Sequence, residues 1–288
     1  MLLVSLVGEQ PAPNLLSARA LRPEVSILVC TERTKKIAER LRGLLLPICP
    51  CGICIVDGYN IAAAQLQLTS YIDDYDHIAA LHFNVTGGTK PMSLAAFMLA
   101  KARNAPFSYF QTEGNRSRLL SYGWRGEKVE LTSDQELAVT ISIDDYLQLY
   151  LGEYESGPPR EEFERQVYAT FQQTSEIECL TSVRPKGLSA LEVDFVLRCG
   201  NQIGVGEAKR KGAKSGIDQI NAVADPRYLG TYIHKFLFSG TTLDINNREL
   251  AKAYNITLIE LPTYKPPGEF SNDEQAKLVI QVLTRMKP

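Results

Sequence analysis

Two carboxylates and a lysine stand where hydrolysis of a phosphodiester would need them. The run Leu191-Glu192-Val193-Asp194-Phe195-Val196-Leu197-Arg198-Cys199-Gly200-Asn201-Gln202-Ile203-Gly204-Val205-Gly206-Glu207-Ala208-Lys209 reads as two strands joined at Gly200-Asn201. With those two residues as the turn, Cys199 faces Gln202, Asp194 falls across from Glu207, and Glu192 across from Lys209. Side chains alternate faces with period two and cross-strand partners share a face, so all four project together. Opposed carboxylates repel, and a divalent cation between them would relieve the repulsion. Asp194 and Glu207 are hard oxygen donors suited to Mg²⁺ or Mn²⁺, and Lys209 is placed to orient water or offset charge on a phosphate. On the reverse face Val193, Phe195 and Leu197 would enter the core opposite Ala208, Gly206 and Gly204. A solvent-facing hairpin with a Glu192–Lys209 surface pair would carry the same Glu-x-Lys spacing, and a longer turn would shift the register.

Flanking residues extend the constellation. Glu161, Glu162 and Glu164 head the preceding helical stretch, where one of them could add a carboxylate, although acids in a first turn ordinarily serve the helix dipole. Lys209, Arg210, Lys211 and Lys214 form a basic run able to hold a phosphate backbone, or simply a solvated loop. Gln219, on the helix after Lys209, is a candidate for contact with water or substrate, and equally an ordinary surface glutamine. His77, His82 and His234 are scattered, which argues against a histidine or zinc site.

A second candidate site lies earlier. Asn84-Val85-Thr86-Gly87-Gly88-Thr89-Lys90-Pro91-Met92 hands an apolar strand over to a helix, at the sheet edge where ligands of open α/β folds bind. Two glycines admit close backbone approach, Thr89 is a natural N-cap, Pro91 fits a first helical turn, and Lys90 adds charge where the dipole already attracts phosphate. The spacing is neither a Walker A loop nor a dinucleotide fingerprint, which disfavours an ATPase or a dehydrogenase. Gly8-Glu9-Gln10-Pro11-Ala12-Pro13-Asn14 and Thr31-Glu32-Arg33-Thr34 follow two further strands and should open at the same edge. A tight strand-to-helix turn would need the glycines for backbone reasons alone.

The elements that must position these residues alternate. Leu2 to Val7, Val25 to Cys30, Ile53 to Val56 and Ile78 to Val85 read as strands, with helices at Thr34 to Leu46 and Lys90 to Arg103. Such alternation implies a parallel, doubly wound Rossmann-like sheet, extended by short strands near Phe107 to Gln111 and Leu119 to Tyr122. Leu137 to Leu151 reads as a connecting helix stopped at Glu153-Tyr154-Glu155-Ser156-Gly157-Pro158-Pro159. Beyond it follow a helix from Arg160 to about Gln173, the strand pair, a strand near Lys235 to Ser239, a helix near Asn247 to Tyr254, a strand Thr257 to Leu261 and a last helix from about Asn272. We expect an α/β chain with a sensing domain over residues 1–135, a connector over 136–158 and a mixed α/β domain over 159–288.

With 288 residues, the chain is long enough for two cores. Lys plus Arg total 31 against 33 for Asp plus Glu, so any nucleic-acid contact must be local. Met1 to Val7 is too short for a signal peptide or a span, no other segment approaches spanning length, and six cysteines in an enzyme-like chain fit reduced thiols. These features predict a cytoplasmic protein without membrane contact. Cys49, Cys51 and Cys54 lack a fourth ligand at metal spacing and read as buried thiols.

Taken together, these motifs resemble the CARF-domain nucleases of type III CRISPR systems, which join a CRISPR-associated Rossmann fold to a restriction-endonuclease-like PD-(D/E)xK domain. The resemblance rests on Gly8 to Pro11 with Pro13-Asn14, Thr31 to Thr34, Thr86 to Met92, and Glu192-Val193-Asp194 with Glu207-Ala208-Lys209. It implies a homodimer that binds a cyclic oligoadenylate, foremost cyclic tetra-adenylate, and then cuts DNA or RNA with Mg²⁺ or Mn²⁺. By the same resemblance Asp194 and Glu207 are the metal ligands, Lys209 the catalytic lysine and Glu164 the helix carboxylate. Gln10, Asn14, Thr31, Thr86, Gly87, Gly88, Thr89, Lys90 and Met92 are the implied activator site. The sequence departs from the motif in two respects: Val193 stands where the motif has its proline, and Glu161, Glu162 and Glu164 leave open which one matches the helix acid. A non-cutting sensor and an unregulated repair or restriction nuclease are the rival readings.

Overall fold

The apolar opening of the chain forms a central strand, and the first unit winds outward from it in both directions. The computed structural model describes residues 1–138, 140–187 and 191–287, and the chain divides into Met1–Ile141 and Ser142–Pro288. In the first unit β1 (Leu2–Leu6), α1 (Ala12–Leu21), β2 (Val25–Cys30), a 3-10 turn (Glu32–Thr34), α2 (Lys35–Leu45) and β3 (Cys51–Ile55) build one side. The chain returns through α3 (Ile61–Asp73) to β4 (Leu81–Asn84), α4 (Lys90–Ala102) and β5 (Phe107–Glu113), and closes with β6 (Arg116–Arg125) and β7 (Lys128–Glu136). The sheet order is β3-β2-β1-β4-β5-β6-β7, parallel as far as β5 and antiparallel beyond. The expected doubly wound parallel sheet is therefore present.

Period-two alternation sends Leu2, Val4, Leu6, Ile27, Val29 and Phe83 into one core with Ala64 and Leu68 of α3 and Ala96 and Ala100 of α4. Two helices escape the periodicity reading. α1 buries the continuous run Asn14–Ala18 and so shows no stripe, while α3 is carried by Ala64, Leu68 and Ile72 within an alanine-rich segment. Strand β7 is exposed on both faces along its whole length, and only pairing with β6 reveals it.

The second unit runs α5 (Ile143–Tyr150), β8 (Tyr154–Glu155), α6 (Glu162–Gln172), β9 (Glu178–Pro185), β10 (Val193–Cys199), β11 (Gln202–Lys209), α7 (Ala213–Val223), α8 (Pro226–Leu229), β12 (His234–Ser239), α9 (Ile245–Ala253), β13 (Ile256–Glu260) and α10 (Asn272–Met286). Its sheet order is β13-β12-β11-β10-β9-β8, antiparallel among β8 to β11 and parallel from β11 to β13. This is the mixed α/β domain expected. The helix expected from Leu137 begins instead at Ile143, because the Ser142 hydroxyl caps it by accepting the Asp145 N–H at 3.0 Å; residue 139 lies outside the described residues. The Gly/Pro stop after it is also more than a linker, since Tyr154 and Glu155 pair with Pro185 and Arg184 at the sheet edge.

Packing fixes the hairpin in this sheet. Phe163, Val167 and Phe171, one face of α6, meet Phe195, Leu197 and Phe238 in the core. Gly206 is required by that arrangement: a Cβ there would lie 2.5 Å from Cε2 of Phe238. Among the described residues no helix is long and apolar enough to cross a membrane.

Candidate functional site

The β10–β11 hairpin has the register expected from its two-residue turn. Cys199 pairs with Gln202 and the ladder continues to Phe195 opposite Gly206. One step further, the Asp194 carboxylate accepts the Ala208 N–H at 3.0 Å through Oδ2, and it stands across the ladder from Glu207, near enough for its charge to raise the Glu207 carboxyl. Glu207 is only 3% exposed, and Nζ of Lys209 lies 2.7 Å from its Oε1. Two acids and a lysine thus share one face, Glu207 buried and Asp194 and Lys209 half-buried. The reverse face carries Val193, Phe195 and Leu197 into the interior as expected.

Electrostatics at this spot are strained. Burial pushes the Asp194 carboxyl well above the usual carboxylate range, against the Ala208 N–H, and the nearby Glu164 charge adds to the rise. Burial likewise raises Glu207, with the Asp194 charge next in importance and Lys209 opposing. For Lys209 burial disfavours the charge, yet the Glu207 contact and the Asp194 field outweigh it, and the ammonium is held above its ordinary value. Two carboxyls whose charges are both disfavoured by burial, and which repel each other, would be relieved by a cation. Their oxygens are hard donors and fit a divalent ion.

Among the three acids heading α6, the structure separates the roles. Glu161 is exposed and Glu162 pairs with Arg165 at 2.8 Å, whereas Glu164 is buried and accepts the Arg160 and Glu161 N–H groups at 2.8 and 3.3 Å through Oε2. Burial raises the Glu164 carboxyl, and the charges of Lys209 and Glu192 both reach it. Arg210, Lys211 and Lys214 are exposed. Gln219 is exposed as well, its Oε1 accepting from the Ser215 hydroxyl at 3.4 Å. Among the described residues no three His, Cys, Asp or Glu gather as a metal-binding group, and Cys49, Cys51 and Cys54 are unpaired buried thiols.

In the first unit, topology creates a crevice before any side chain is considered. From β1 the chain steps to β2 on one side and later to β4 on the other, so the loops leaving β1 and β4 diverge at a switch point. The carbonyl of Leu6 is the hub: the Asn14 amide donates to it at 2.9 Å, and a Cβ on Gly87 would sit 2.1 Å from it. A Cβ on Gly8 would lie 3.0 Å from the Gly88 nitrogen. Gly87 thus has a packing reason to be glycine, and Gly88 a conformational one, with φ of +76°.

The nine expected activator residues fall into two groups. Asn14 is buried under Leu6, Met92 is buried beneath Gly88, and the Thr86 hydroxyl bridges the Asn84 side chain and the Phe110 N–H; these three shape the loop from behind. Gln10, Thr31, Gly87, Gly88 and Thr89 are half-exposed and Lys90 is exposed, and they form the rim. The Thr89 hydroxyl caps α4 by accepting the Met92 N–H at 3.3 Å and donates to the Gly58 carbonyl. That bond brings in a loop that the sequence motifs do not include, Asp57-Gly58-Tyr59-Asn60 after β3. Asp57 ties it by accepting the Tyr59 and Asn60 N–H groups at 2.8 and 3.0 Å, Gly58 packs on Thr31, and Tyr59 stands 79% exposed. A polar Asp-Gly-Tyr-Asn after a strand of the same parallel sheet was the available signal.

No curated protein matches the chain. Among solved structures, Can2 from Sulfobacillus thermosulfidooxidans in complex with cyclic tetra-adenylate superposes with a TM-score of 0.75 at 17% identity, over 99% of each chain. Protein VC1899 from Vibrio cholerae gives 0.74 at 14% identity, over 99% of this chain and 98% of that one. A type III CRISPR defence DNA nuclease activated by cyclic oligoadenylate gives 0.64 at 14% identity, over the whole of this chain and 52% of that one. At these identities the likeness is one of fold, across both units. Residues 2–146 match the family model of the Card1 CARF domain, and the chain belongs to that family.

Proposed function

We propose that the protein is a metal-dependent nuclease of type III CRISPR defence, activated when its CARF domain binds a cyclic oligoadenylate. The observation that carries this reading is the half-buried Asp194 facing the buried Glu207, which is paired with Lys209, in a chain whose other half is a CARF domain. The fold likeness to a cyclic tetra-adenylate complex and to a cyclic-oligoadenylate-activated DNA nuclease supports it and favours cyclic tetra-adenylate as activator. The rim of Gln10, Thr31, Gly87 to Lys90 and the loop carrying Tyr59 would hold the activator, with the α4 N-terminus and Lys90 facing its phosphates. Asp194 and Glu207, with the Glu164 carboxyl nearby, would hold Mg²⁺ or Mn²⁺. When bound, the cation would lower the pKa of a coordinated water and polarise the scissile phosphate. Loading would favour the ionised form of Glu207 and Asp194, and the Lys209 ammonium, paired with Glu207, would lie beside the oxygens where negative charge develops.

The protein would act as a homodimer, and α4 supports this: Leu94 and Met98 on its outer side are 52% and 49% exposed, on the helix whose first turn forms the activator loop. Activator binding would shift the population toward a cutting arrangement of the nuclease units. The test is cleavage of labelled single-stranded RNA, single-stranded DNA and supercoiled plasmid with Mn²⁺ or Mg²⁺, with and without cyclic tetra-adenylate. We expect activator-dependent cutting that falls at least ~100-fold in Glu207→Gln; cutting indifferent to that substitution would refute the assignment. Among the described residues no third acid gathers with Asp194 and Glu207 as a metal-binding group, which keeps one rival, a sensor that does not cut, whose sign is activator binding without cleavage of any substrate.

A further inference from the structure

Beside the acid pair lies a charge cluster that the mechanism above does not use. Glu192 is two residues before Asp194 on the same strand path, hence on the same face and about 7 Å along it. Two arginines converge on it from different elements. Nη2 of Arg184, on β9, lies 2.7 Å from Oε1 of Glu192, and Nη2 of Arg160, just ahead of α6, lies 3.0 Å from the same oxygen. Nη1 of Arg160 reaches Oε2 at 3.2 Å. One carboxylate therefore occupies two guanidinium forks, while Nε of Arg184 is buried without a hydrogen-bond partner. Glu192 is also near enough to Asp194 and Glu164 for its charge to bear on both.

The charge balance is informative. Guanidinium forks match a phosphate as well as a carboxylate, and bidentate phosphate contacts are where arginine is favoured over lysine. A nucleic-acid strand with one phosphate at the acid pair must pass its neighbouring phosphate close by, and Glu192 alone would repel it. With Glu192 displaced, Arg160 and Arg184 present two positive charges from two elements at that point. A carboxylate that pairs with both arginines holds them in place until a polyanion arrives.

We propose that Arg160 and Arg184 form a backbone-phosphate grip for the substrate strand, and that Glu192 is its placeholder, displaced when nucleic acid binds. This rests on the nuclease reading of the site and adds the residues that hold the strand.

The test uses the full-length chain in a Glu207→Gln background, so that nothing is cut, with cyclic tetra-adenylate present and a fluorescent single-stranded DNA or RNA oligonucleotide as probe. Adding Glu192→Gln is expected to tighten binding several-fold by freeing the arginines and removing a repelling charge. Adding Arg160→Gln, an exposed position, is expected to weaken it several-fold and to reduce the slope of log K against log salt by about 0.7, one single-strand phosphate contact. If both leave Kd and slope unchanged, or if Glu192→Gln weakens binding, the cluster is only a brace between β9, β10 and α6, and the proposal falls. Cleavage by the otherwise unmodified protein, scored separately, tells failure of the grip from failure of the nuclease reading.

Discussion

At Asp194 and Glu207 two carboxyls stand where burial disfavours their charges. Both carboxyls are raised chiefly by burial, so the folded chain binds protons more tightly there than the unfolded chain does. The sign follows: the metal-free protein keeps its full stability below the ordinary carboxylate range and loses some as pH rises through the raised values. Thermal denaturation without metal should therefore show a Tm that falls between about pH 4 and pH 7 and levels off above, with Mn²⁺ restoring it at the upper end. Asp194→Asn, whose side-chain oxygen can still accept the Ala208 N–H, should raise the metal-free Tm at pH 8, by about 3 °C per kcal/mol recovered, and should flatten its response to Mn²⁺. A Tm unaltered by pH and by Mn²⁺ would mean that the pair is no cation site. At the other site Tyr59 offers an exposed ring beside the rim, and Tyr59→Ala is expected to weaken cyclic tetra-adenylate binding by about tenfold, one stacked base, with little change in Tm.

Glycines decide how closely the elements approach. At Gly87 an added methyl would overlap the Leu6 carbonyl, so the β1 and β4 loops must separate in Gly87→Ala. Isothermal titration should show loss of activator affinity exceeding tenfold alongside a lower Tm. Gly43, in α2 with open space where a Cβ would stand, is the control: Gly43→Ala should add about 0.5–1 kcal/mol of stability and leave binding alone. In the second unit Gly216 lets α7 lie against the acid pair, since a Cβ would sit 2.9 Å from Cγ of Lys209 and 2.7 Å from Cδ1 of Leu237. Gly216→Ala is expected to lower kcat by about tenfold, the effect of disturbing an outer-shell contact, with KM nearly unchanged; a matching loss in KM would assign the glycine to substrate binding instead.

For the whole molecule, the two halves carry different kinds of warrant. The CARF half is established by family, and the nuclease reading of the other half is a proposal that rests on the chemistry of its residues. A prediction at this scale is that Leu94→Glu with Met98→Glu yields a monomer in sedimentation and abolishes activator-dependent cleavage, while circular dichroism remains native. A dimer surviving both substitutions would move the interface elsewhere.

Local rules were enough for the hairpin. Gly200-Asn201 is a two-residue turn, side chains alternate with period two, and those facts alone brought Asp194 to Glu207 and turned Phe195 inward. The strand-glycine-helix passage from Asn84 to Met92 was legible for the same reason, because cap, proline and turn chemistry act over a few residues. Partnerships across the sheet were not legible. Arg160, Arg184 and Glu192 meet only because β9 pairs with β10 and α6 starts beside them, and Glu164 parts company with Glu161 and Glu162 only because α6 buries one side against Phe195 and Phe238. Strand β7 buries neither face, its Val129 and Leu131 standing exposed. Periodicity reports which way a residue faces along its own element, and the identity of whatever it then faces is decided by long-range packing.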